Sequence, residues 1–451
     1  MYKAKQAVIL AGGEGTRLKE VSGHLPKPMV PVLGKPLLQY LIEQCVEYGI
    51  SNIKLLVSYK KEVIENYFGD GSKYGASIQY LVEDIPRGTA GALIDALPEL
   101  DEQFIVIYGD TFFDIDLGAF WAFHQKRAGD ASIFIHPNDH PYDSDIVEID
   151  PNLQVQQIHL YPHDNQWRQN LVNAAVYIMN KNALQGINLL SRKPDIAKEL
   201  FPMMLESKKK LYGYISTEYI KDMGTPERLS KVEMEINSGK VMSLKKHVPK
   251  AAIFLDRDGT INKEVGHLSN QEQFELIEGV DEAISKINKA GFLVVVVTNQ
   301  PVIARGELKD SELKVIHNKM DTLLGQKGAY IDRLYYCPHH TDMGFKGEVK
   351  ALKFDCDCRK PKIGMFIKAK KDLNIALEKS WVIGDSTRDI LAAKNAGIKS
   401  ILVKTGYAGE DRSYEVTSDF VAENLNKAVE LILKEDKRVD CHEGCFLQTL
   451  D

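Results

Sequence analysis

Two stretches of this sequence bring together residues that could do phosphorus chemistry. Residues 7–10 read as an apolar strand that runs into Ala11-Gly12-Gly13-Glu14-Gly15-Thr16-Arg17-Leu18. Glycines let backbone N–H groups approach phosphate oxygens, and a helix N-terminus behind them adds a favourable dipole. The loop is neither G-x-G-x-x-G nor G-x-x-x-x-G-K-[ST], so neither the dinucleotide nor the Walker pattern applies. Arg17, and Lys27 held between Pro26 and Pro28, add two cations suited to a transition state that gains phosphoryl charge. The second stretch is Asp256-Arg257-Asp258-Gly259-Thr260, after an apolar strand at 251–255. Two carboxylates two residues apart at a strand end can bind metal, or act as nucleophile and acid. A calcium loop is the alternative, but the EF-hand spacing and its Glu are missing.

These residues need elements to position them. Short β-branched runs alternate with helical patterns, which predicts an α/β protein. One series has strands at 7–10, 53–57, 78–81 and 104–108, with helices at 37–48 and 90–97. A second has strands at 251–255, 292–297, 333–336, 380–383 and 400–403, with helices at 280–290, 310–324, 364–373 and 388–396. A stretch with Ser238-Gly239-Lys240 and Lys245-Lys246-His247 separates them. The expected domains are 1–240 and 249–435, with 436–451 as a charged tail. The series share no repeat period, so they are two different domains.

The chain has 451 residues, and at roughly 150 per domain its length suits two or three domains with substantial cores. The formal charge of −6 argues against a dedicated nucleic-acid binder, which must neutralise phosphates. No apolar run approaches the ~18 residues of a membrane span, and no signal peptide is recognisable at the start. The expected location is therefore the cytoplasm, where six cysteines stay reduced and clustered ones suggest metal binding.

The first half carries Arg17, Pro26-Lys27-Pro28, Gly34-Lys35-Pro36, Arg87-Gly88-Thr89-Ala90-Gly91, Tyr108-Gly109-Asp110, Val172-Asn173-Ala174 and Asp222-Met223-Gly224-Thr225-Pro226. In that order they resemble the sugar-1-phosphate nucleotidylyltransferase family, which implies a Rossmann-like domain with a mixed sheet. The resemblance implies that Leu10, Ala11, Gly12, Gly13, Arg17 and Lys27 hold the nucleoside triphosphate and that Gly88 lies near its base. It further implies that Asp110 and Asp222 bind Mg²⁺ and that Asn173 meets the sugar. The sugar phosphate would attack the α-phosphorus and pyrophosphate would leave, with no general base needed. Two departures stand out: no Glu-Lys-Pro sugar signature lies around 158–163, and the usual Asn-Ala-Gly reads Asn173-Ala174-Ala175.

The second half continues with Thr298-Asn299-Gln300, Arg359-Lys360-Pro361 and Gly384-Asp385. Together with Asp256-Arg257-Asp258 they resemble the haloacid dehalogenase superfamily of phosphohydrolases, also Rossmann-like. The resemblance makes Asp256 the nucleophile and Asp258 the acid and base, with Thr298 and Lys360 on the phosphoryl oxygens. Asp256, Asp258 (through its carbonyl) and Asp385 would hold Mg²⁺. Asp389 is read as a helix-surface residue outside that set. Cys337-Pro338-His339 and Cys356-Asp357-Cys358 supply a Cys₃His set for structural Zn²⁺. That insert resembles the heptose bisphosphate phosphatases, and with them Asn299, Arg305, Arg359 and Ser386 would lie near the substrate. Pro301-Val302 departs from the Ser-Gly that relatives often carry.

The two resemblances imply consecutive steps: heptose 1,7-bisphosphate loses its 7-phosphate, and heptose 1-phosphate is joined to GTP, or another NTP, giving GDP-D-glycero-α-D-manno-heptose. A mannose or glucose 1-phosphate nucleotidylyltransferase joined to a histidinol-phosphatase-like enzyme is the enzyme alternative. A nucleotide-sensing scaffold is the non-enzyme alternative. Nucleic-acid binding and membrane insertion are not expected, and an oligomer is allowed. Cys441-His442-Glu443-Gly444-Cys445 is read as part of the solvated tail.

Overall fold

The computed structural model describes residues 4–13 and 25–446, the last ten by their backbone alone. The chain divides into two compact units, 1–136 with 143–163 and 171–246, and 137–142 with 164–170 and 247–451.

The first unit is built on a nine-stranded mixed sheet. Gln6–Leu10 pairs in parallel with Asn52–Val57 on one side and Gln103–Tyr108 on the other. Ser77–Val82 extends the sheet in parallel beyond Asn52–Val57. Val172–Asn180 closes antiparallel against Gln103–Tyr108. Both sheet faces are covered: Ala7, Ile9, Ile105 and Ile107 point into one core, and Val8, Phe104 and Val106 into another. That is why these strands are nearly unbroken apolar runs. A separate ribbon pairs Thr111–Asp114 antiparallel with Tyr219–Asp222.

The second unit has six parallel strands. Their spatial order is Arg333–Cys337, Leu293–Asn299, Ala252–Leu255, Trp381–Gly384, Lys399–Val403, Phe420–Ala422. The order reverses beside Ala252–Leu255, and doubly wound sheets bind ligands outside the strand ends at such a point. Leu293 to Thr298 are all buried, and each buried Val or Leu contributes about 1.5–3 kcal/mol. Helix Val280–Ala290 turns Val280, Ala283, Ile284 and Ile287 onto the core.

Two boundaries differ from expectation. Segments 137–142 and 164–170 lie in the first half of the sequence but group with the second unit. The reason is local docking on helix Asp310–Gly325. Thr322 Oγ1 accepts the Arg168 N–H at 2.9 Å and donates to its carbonyl at 3.1 Å. Asp321 accepts the Asn170 N–H at 3.2 Å, and a Cβ at Gly325 would stand 2.5 Å from Pro141. Residues 436–446, expected as a tail, continue the last helix, Leu425–Phe446. Between 425 and 443 there is neither Pro nor Gly to stop it. Among the described residues, no helix is long and apolar enough to cross a membrane.

Candidate active sites

In the first unit the glycine loop leaves the sheet at the carboxyl end of Gln6–Leu10. The Ala11 N–H donates to the Leu56 carbonyl at 2.8 Å. On the other flank the Gly109 N–H donates to Leu10 O at 3.0 Å. A Cβ on Gly109 would stand 2.8 Å from that oxygen, so only glycine permits this approach. Asp110 follows at once, and Lys27 Nζ reaches its carboxylate at 2.5 Å. The ribbon register sets Thr111 opposite Asp222, and the Met223 N–H donates to Asp110 O at 2.8 Å. Asp110 and Asp222 therefore arrive side by side from distant parts of the unit's sequence. Two carboxylates together with substrate phosphates are a common Mg²⁺ arrangement. Asp222 is also paired with Arg228. Burial alone would raise its carboxyl, but the Arg228 hydrogen bond and charge outweigh burial and lower it. Gly88 opens helix Gly88–Ala96. Arg17 lies outside the described residues.

Asn173 sits where the pairing of Val172–Asn180 with Ala131–His136 slips. Its Oδ1 accepts the Ala175 N–H at 3.1 Å. Ala175 has φ +58°, the left-handed region that favours glycine. The departure from Asn-Ala-Gly thus keeps a backbone conformation that suits glycine and puts a methyl group on it. Ala175→Gly is expected to raise stability, by up to about 1 kcal/mol once glycine's greater unfolded-state entropy is deducted. A denaturant titration checks this; a destabilised variant would contradict it.

The second unit gathers its groups at the ends of three adjacent strands. Asp256 ends Ala252–Leu255, Thr298 lies in Leu293–Asn299, and Asp385 follows Trp381–Gly384. Carboxylate oxygens of Asp256, Asp385 and Asp389 all lie within 4.8 Å of one another. Lys360, 2% exposed, is wedged among them. Its Nζ is 2.8 Å from Asp256 Oδ1 and 2.6 Å from Asp389 Oδ1. Neither oxygen has a partner at hydrogen-bonding angles, so these contacts are ion pairs, and the directed bond from Nζ goes to Val297 O at 2.7 Å. Burial, then the Asp389 charge, pushes the Asp256 carboxyl up, opposed by Lys360. Asp385 is raised by burial and by Asp389 and Asp256. Burial would lower Lys360, but the two carboxylates outweigh it. Carboxylates crowded in this way favour a divalent cation. A Cβ on Gly259, at φ +76°, would collide with Asp385, so the turn after Asp258 brings bare backbone against the cluster.

The reading of Asp389 as a helix-surface residue is corrected: it is 1% exposed and belongs to the cluster. It caps helix Thr387–Ala396 through Oδ2 and meets Lys360 through Oδ1. The Asp258 carboxylate is not in that group. It accepts from Asn262 at 3.0 Å, from Gln300 at 2.9 Å and from Arg257. Burial alone would raise it, but these partners, Arg257 foremost, lower it. Ser386, expected at the substrate, is 2% exposed and donates to Asp389 at 2.8 Å as the helix cap. Asn299 clamps the Lys360 peptide, donating to its carbonyl and accepting its N–H, both at 3.0 Å.

Sequence reasoning left Arg257, Gln300 and His317 without roles. Arg257 is fully buried and contacts Asp258, Gln300 Oε1 at 3.0 Å and His317 Nε2 at 3.1 Å. Burial, with the Arg257 charge beside it, holds His317 neutral, so its ring can accept from the guanidinium. Gln300 Nε2 also donates to Thr298 Oγ1 at 2.9 Å. The only signal for Gln300 was its place just past an apolar strand that ends in Thr298-Asn299.

Beside this site, the sulfurs of Cys337, Cys356 and Cys358 are 3.3–3.5 Å apart. His339 Nδ1 lies 3.6 Å from Cys337 Sγ and 3.2 Å from Cys358 Sγ. Tetrahedral Zn–S and Zn–N bonds would set such donors roughly 3.5–3.8 Å apart, slightly wider than the spacing here, so the four residues fit one ion in a closed set. Arg359 follows the set directly and donates to His339 O at 3.2 Å. Arg305 lies against the His267 and His340 rings.

The nucleotidyl transferase family matches residues 6–239, and the HAD-hydrolase-like family matches 357–428. The D-glycero-β-D-manno-heptose-1,7-bisphosphate 7-phosphatase of Pasteurella multocida is 47% identical over 158 residues, 35% of this chain and 83% of its own. That of Escherichia coli K12 is 40% identical over 194 residues, 43% of this chain and 97% of its own. The crystal structure of HddC from Yersinia pseudotuberculosis is 29% identical, covering 51% of this chain and 99% of its own, with a TM-score of 0.45.

Proposed function

Since this chain belongs to the nucleotidyl transferase family and joins to it a HAD-type phosphatase, we propose that it performs two consecutive steps of nucleotide-sugar synthesis. A heptose 1,7-bisphosphate loses its 7-phosphate in the second unit, and the resulting heptose 1-phosphate receives GMP from GTP in the first, releasing pyrophosphate. The observation that carries this reading is the fusion itself. The phosphatase half resembles enzymes named for removing the 7-phosphate of a heptose 1,7-bisphosphate, which leaves a sugar 1-phosphate, the substrate class of a nucleotidylyltransferase.

In the phosphatase, Asp256 attacks phosphorus and the P–O bond to C7 breaks, leaving an aspartyl phosphate. Asp258 passes a proton to the leaving oxygen and takes one from the water that hydrolyses the intermediate, its ionised form, which Arg257 favours, being the one that acts on water. Lys360 neutralises phosphoryl charge, and Thr298, tied to Asp258 through Gln300, offers its hydroxyl. Asp256, Asp385 and Asp389, with the Asp258 carbonyl, would hold Mg²⁺, which supplies charge neutralisation. In the transferase, the anionic 1-phosphate is already a nucleophile. Gly12, Gly13, Arg17 and Lys27 position the triphosphate, and Asp110 and Asp222 would hold Mg²⁺ against it.

Zn²⁺ on Cys337, His339, Cys356 and Cys358 is structural in this reading, because a closed set leaves no position for water. It holds the loop that presents Arg359 and Lys360. Thiolate ligands need reduced cysteines, which supports a cytoplasmic location. Metal analysis of the purified untagged protein is expected to give one Zn²⁺ per chain, lost in Cys356→Ala/Cys358→Ala together with local stability. Zinc-free protein of full stability would overturn the assignment.

The relatives are named for the β anomer of the bisphosphate. Here the fused transferase favours α, since its family generally takes α-linked sugar 1-phosphates and a β-selective neighbour would supply the wrong stereochemistry. Arg305 and Arg359 are the cations proposed to meet the 1-phosphate, and a bidentate contact there is orientation-sensitive. The experiment is kcat/KM for each pure anomer of the bisphosphate. A higher value for α is expected; equal values or a preference for β would sink the coupled reading.

A further inference from the structure

Asn173 is the residue that the transferase reading gives to the sugar, and its side chain stands at one end of a row of hydroxyls. Tyr177 pairs with Val106, and Tyr108 lies two residues beyond Val106, so both rings stand on one face of the sheet. Their centroids are 5.9 Å apart, edge to face. The Tyr177 hydroxyl has Asn173 and Tyr108 as its hydrogen-bonding side chains. The Tyr108 hydroxyl is 3.2 Å from Thr89 Oγ1, and Thr89 Oγ1 is 2.9 Å from Asp195 Oδ2. The row is thus Asn173, Tyr177, Tyr108, Thr89 and Asp195, drawn from distant parts of the first unit's sequence.

A row of hydroxyls can run either way, but the two ends decide the direction here. Asp195, a carboxylate, only accepts. Its Oδ1 takes the Ala197 and Lys198 N–H groups at 2.9 and 3.1 Å, which fixes the side chain. Its Oδ2 receives the Thr89 proton. Thr89 Oγ1 is then left with lone pairs; one takes the Ile196 N–H at 3.0 Å and the other the Tyr108 proton. Tyr108 in turn receives the Tyr177 proton, and Tyr177 receives an N–H of Asn173. The other end demands the same direction. Asn173 Oδ1 accepts the Ala175 N–H at 3.1 Å, which leaves Nδ2 for Tyr177. Burial pushes both tyrosine hydroxyls up, so each keeps the proton that the row needs.

We infer that Tyr177 and Tyr108, ordered from Asp195 through Thr89, are positioning residues that hold the Asn173 amide in one orientation for the sugar 1-phosphate. The inference rests on the transferase reading above and adds the residues that aim its sugar contact. With one Nδ2 proton on Tyr177 and Oδ1 on the Ala175 N–H, the amide keeps one N–H to give to a sugar oxygen. A reversed amide would meet the same oxygen with its carbonyl, acceptor against acceptor.

Pyrophosphate formation by the full chain tests this, with KM for heptose 1-phosphate and KM for Mg²⁺–GTP measured separately. In Tyr177→Phe, which keeps the ring and loses the hydroxyl, KM for heptose 1-phosphate is expected to rise about 10-fold, the scale of one hydrogen bond. KM for GTP should not move. Thr89→Val should shift the same constant in the same direction from further along the row, and Thr89→Ser should return it to the wild-type value. Asn173→Ala should also raise KM for heptose 1-phosphate, and adding Tyr177→Phe to it should cost nothing more, because the tyrosine acts only through the amide. A merely structural role would lower the melting temperature and move both KM values. If Tyr177→Phe leaves KM for heptose 1-phosphate unchanged, raises both KM values alike, or adds in full to Asn173→Ala, the positioning inference is wrong and the transferase reading stands. If wild type forms no pyrophosphate from GTP and heptose 1-phosphate, both fall.

Discussion

Asp256→Asn is expected to abolish phosphate release from heptose 1,7-bisphosphate, by about 10⁴-fold or more, the scale on which loss of a nucleophile acts. An amide cannot form the acyl phosphate, and it also removes one carboxylate from the group that would hold Mg²⁺. The substitution nearly conserves volume, and Asn lifts the repulsion between Asp256 and Asp389, so the fold should survive. Transfer of GMP to ready-made heptose 1-phosphate should stay near wild type, because Asp110 and Asp222 belong to the other unit. Phosphate and pyrophosphate release measured on one preparation check the pair. Loss of both activities in a still-folded protein would defeat the separation of sites.

Asp110→Ala should produce the mirror image. Removing the carboxylate frees Lys27 from its 2.5 Å ion pair and leaves Asp222 alone to hold Mg²⁺. Preorganised charge of this kind commonly supplies a factor of about 10²–10³ at each contact, so pyrophosphate formation should fall by about 10³-fold. Phosphate release should not move. If kcat for pyrophosphate formation held while only KM rose, Asp110 would serve ground-state binding rather than the transition state.

The elements that carry the sites were legible because each is an apolar run that stops at a charged or glycine-rich turn. Helices Val280–Ala290 and Gly364–Leu373 fall where the sequence pattern puts them. Asp256 and Asp385 could be read from the strands they end. Asp389 could not: an acid at the third position of a helix normally caps it, and it does so here with one oxygen. What the pattern lacks is the Lys360 ammonium on the other oxygen. Ser386 failed for the same reason, its hydroxyl being consumed by that cap. Segments 137–142 and 164–170 were assigned by their position in the chain, whereas their company is set by Gly325 and Thr322.

The most direct test gives the wild-type protein α-heptose 1,7-bisphosphate, GTP and Mg²⁺ and follows the products by phosphorus NMR and mass spectrometry. The account predicts orthophosphate first, then pyrophosphate and GDP-heptose in equal amounts, the sugar having lost its 7-phosphate. It also predicts no GDP-heptose from the bisphosphate with Asp256→Asn, and its return when heptose 1-phosphate is supplied. Orthophosphate without pyrophosphate, or a nucleotide sugar that keeps the 7-phosphate, would contradict it.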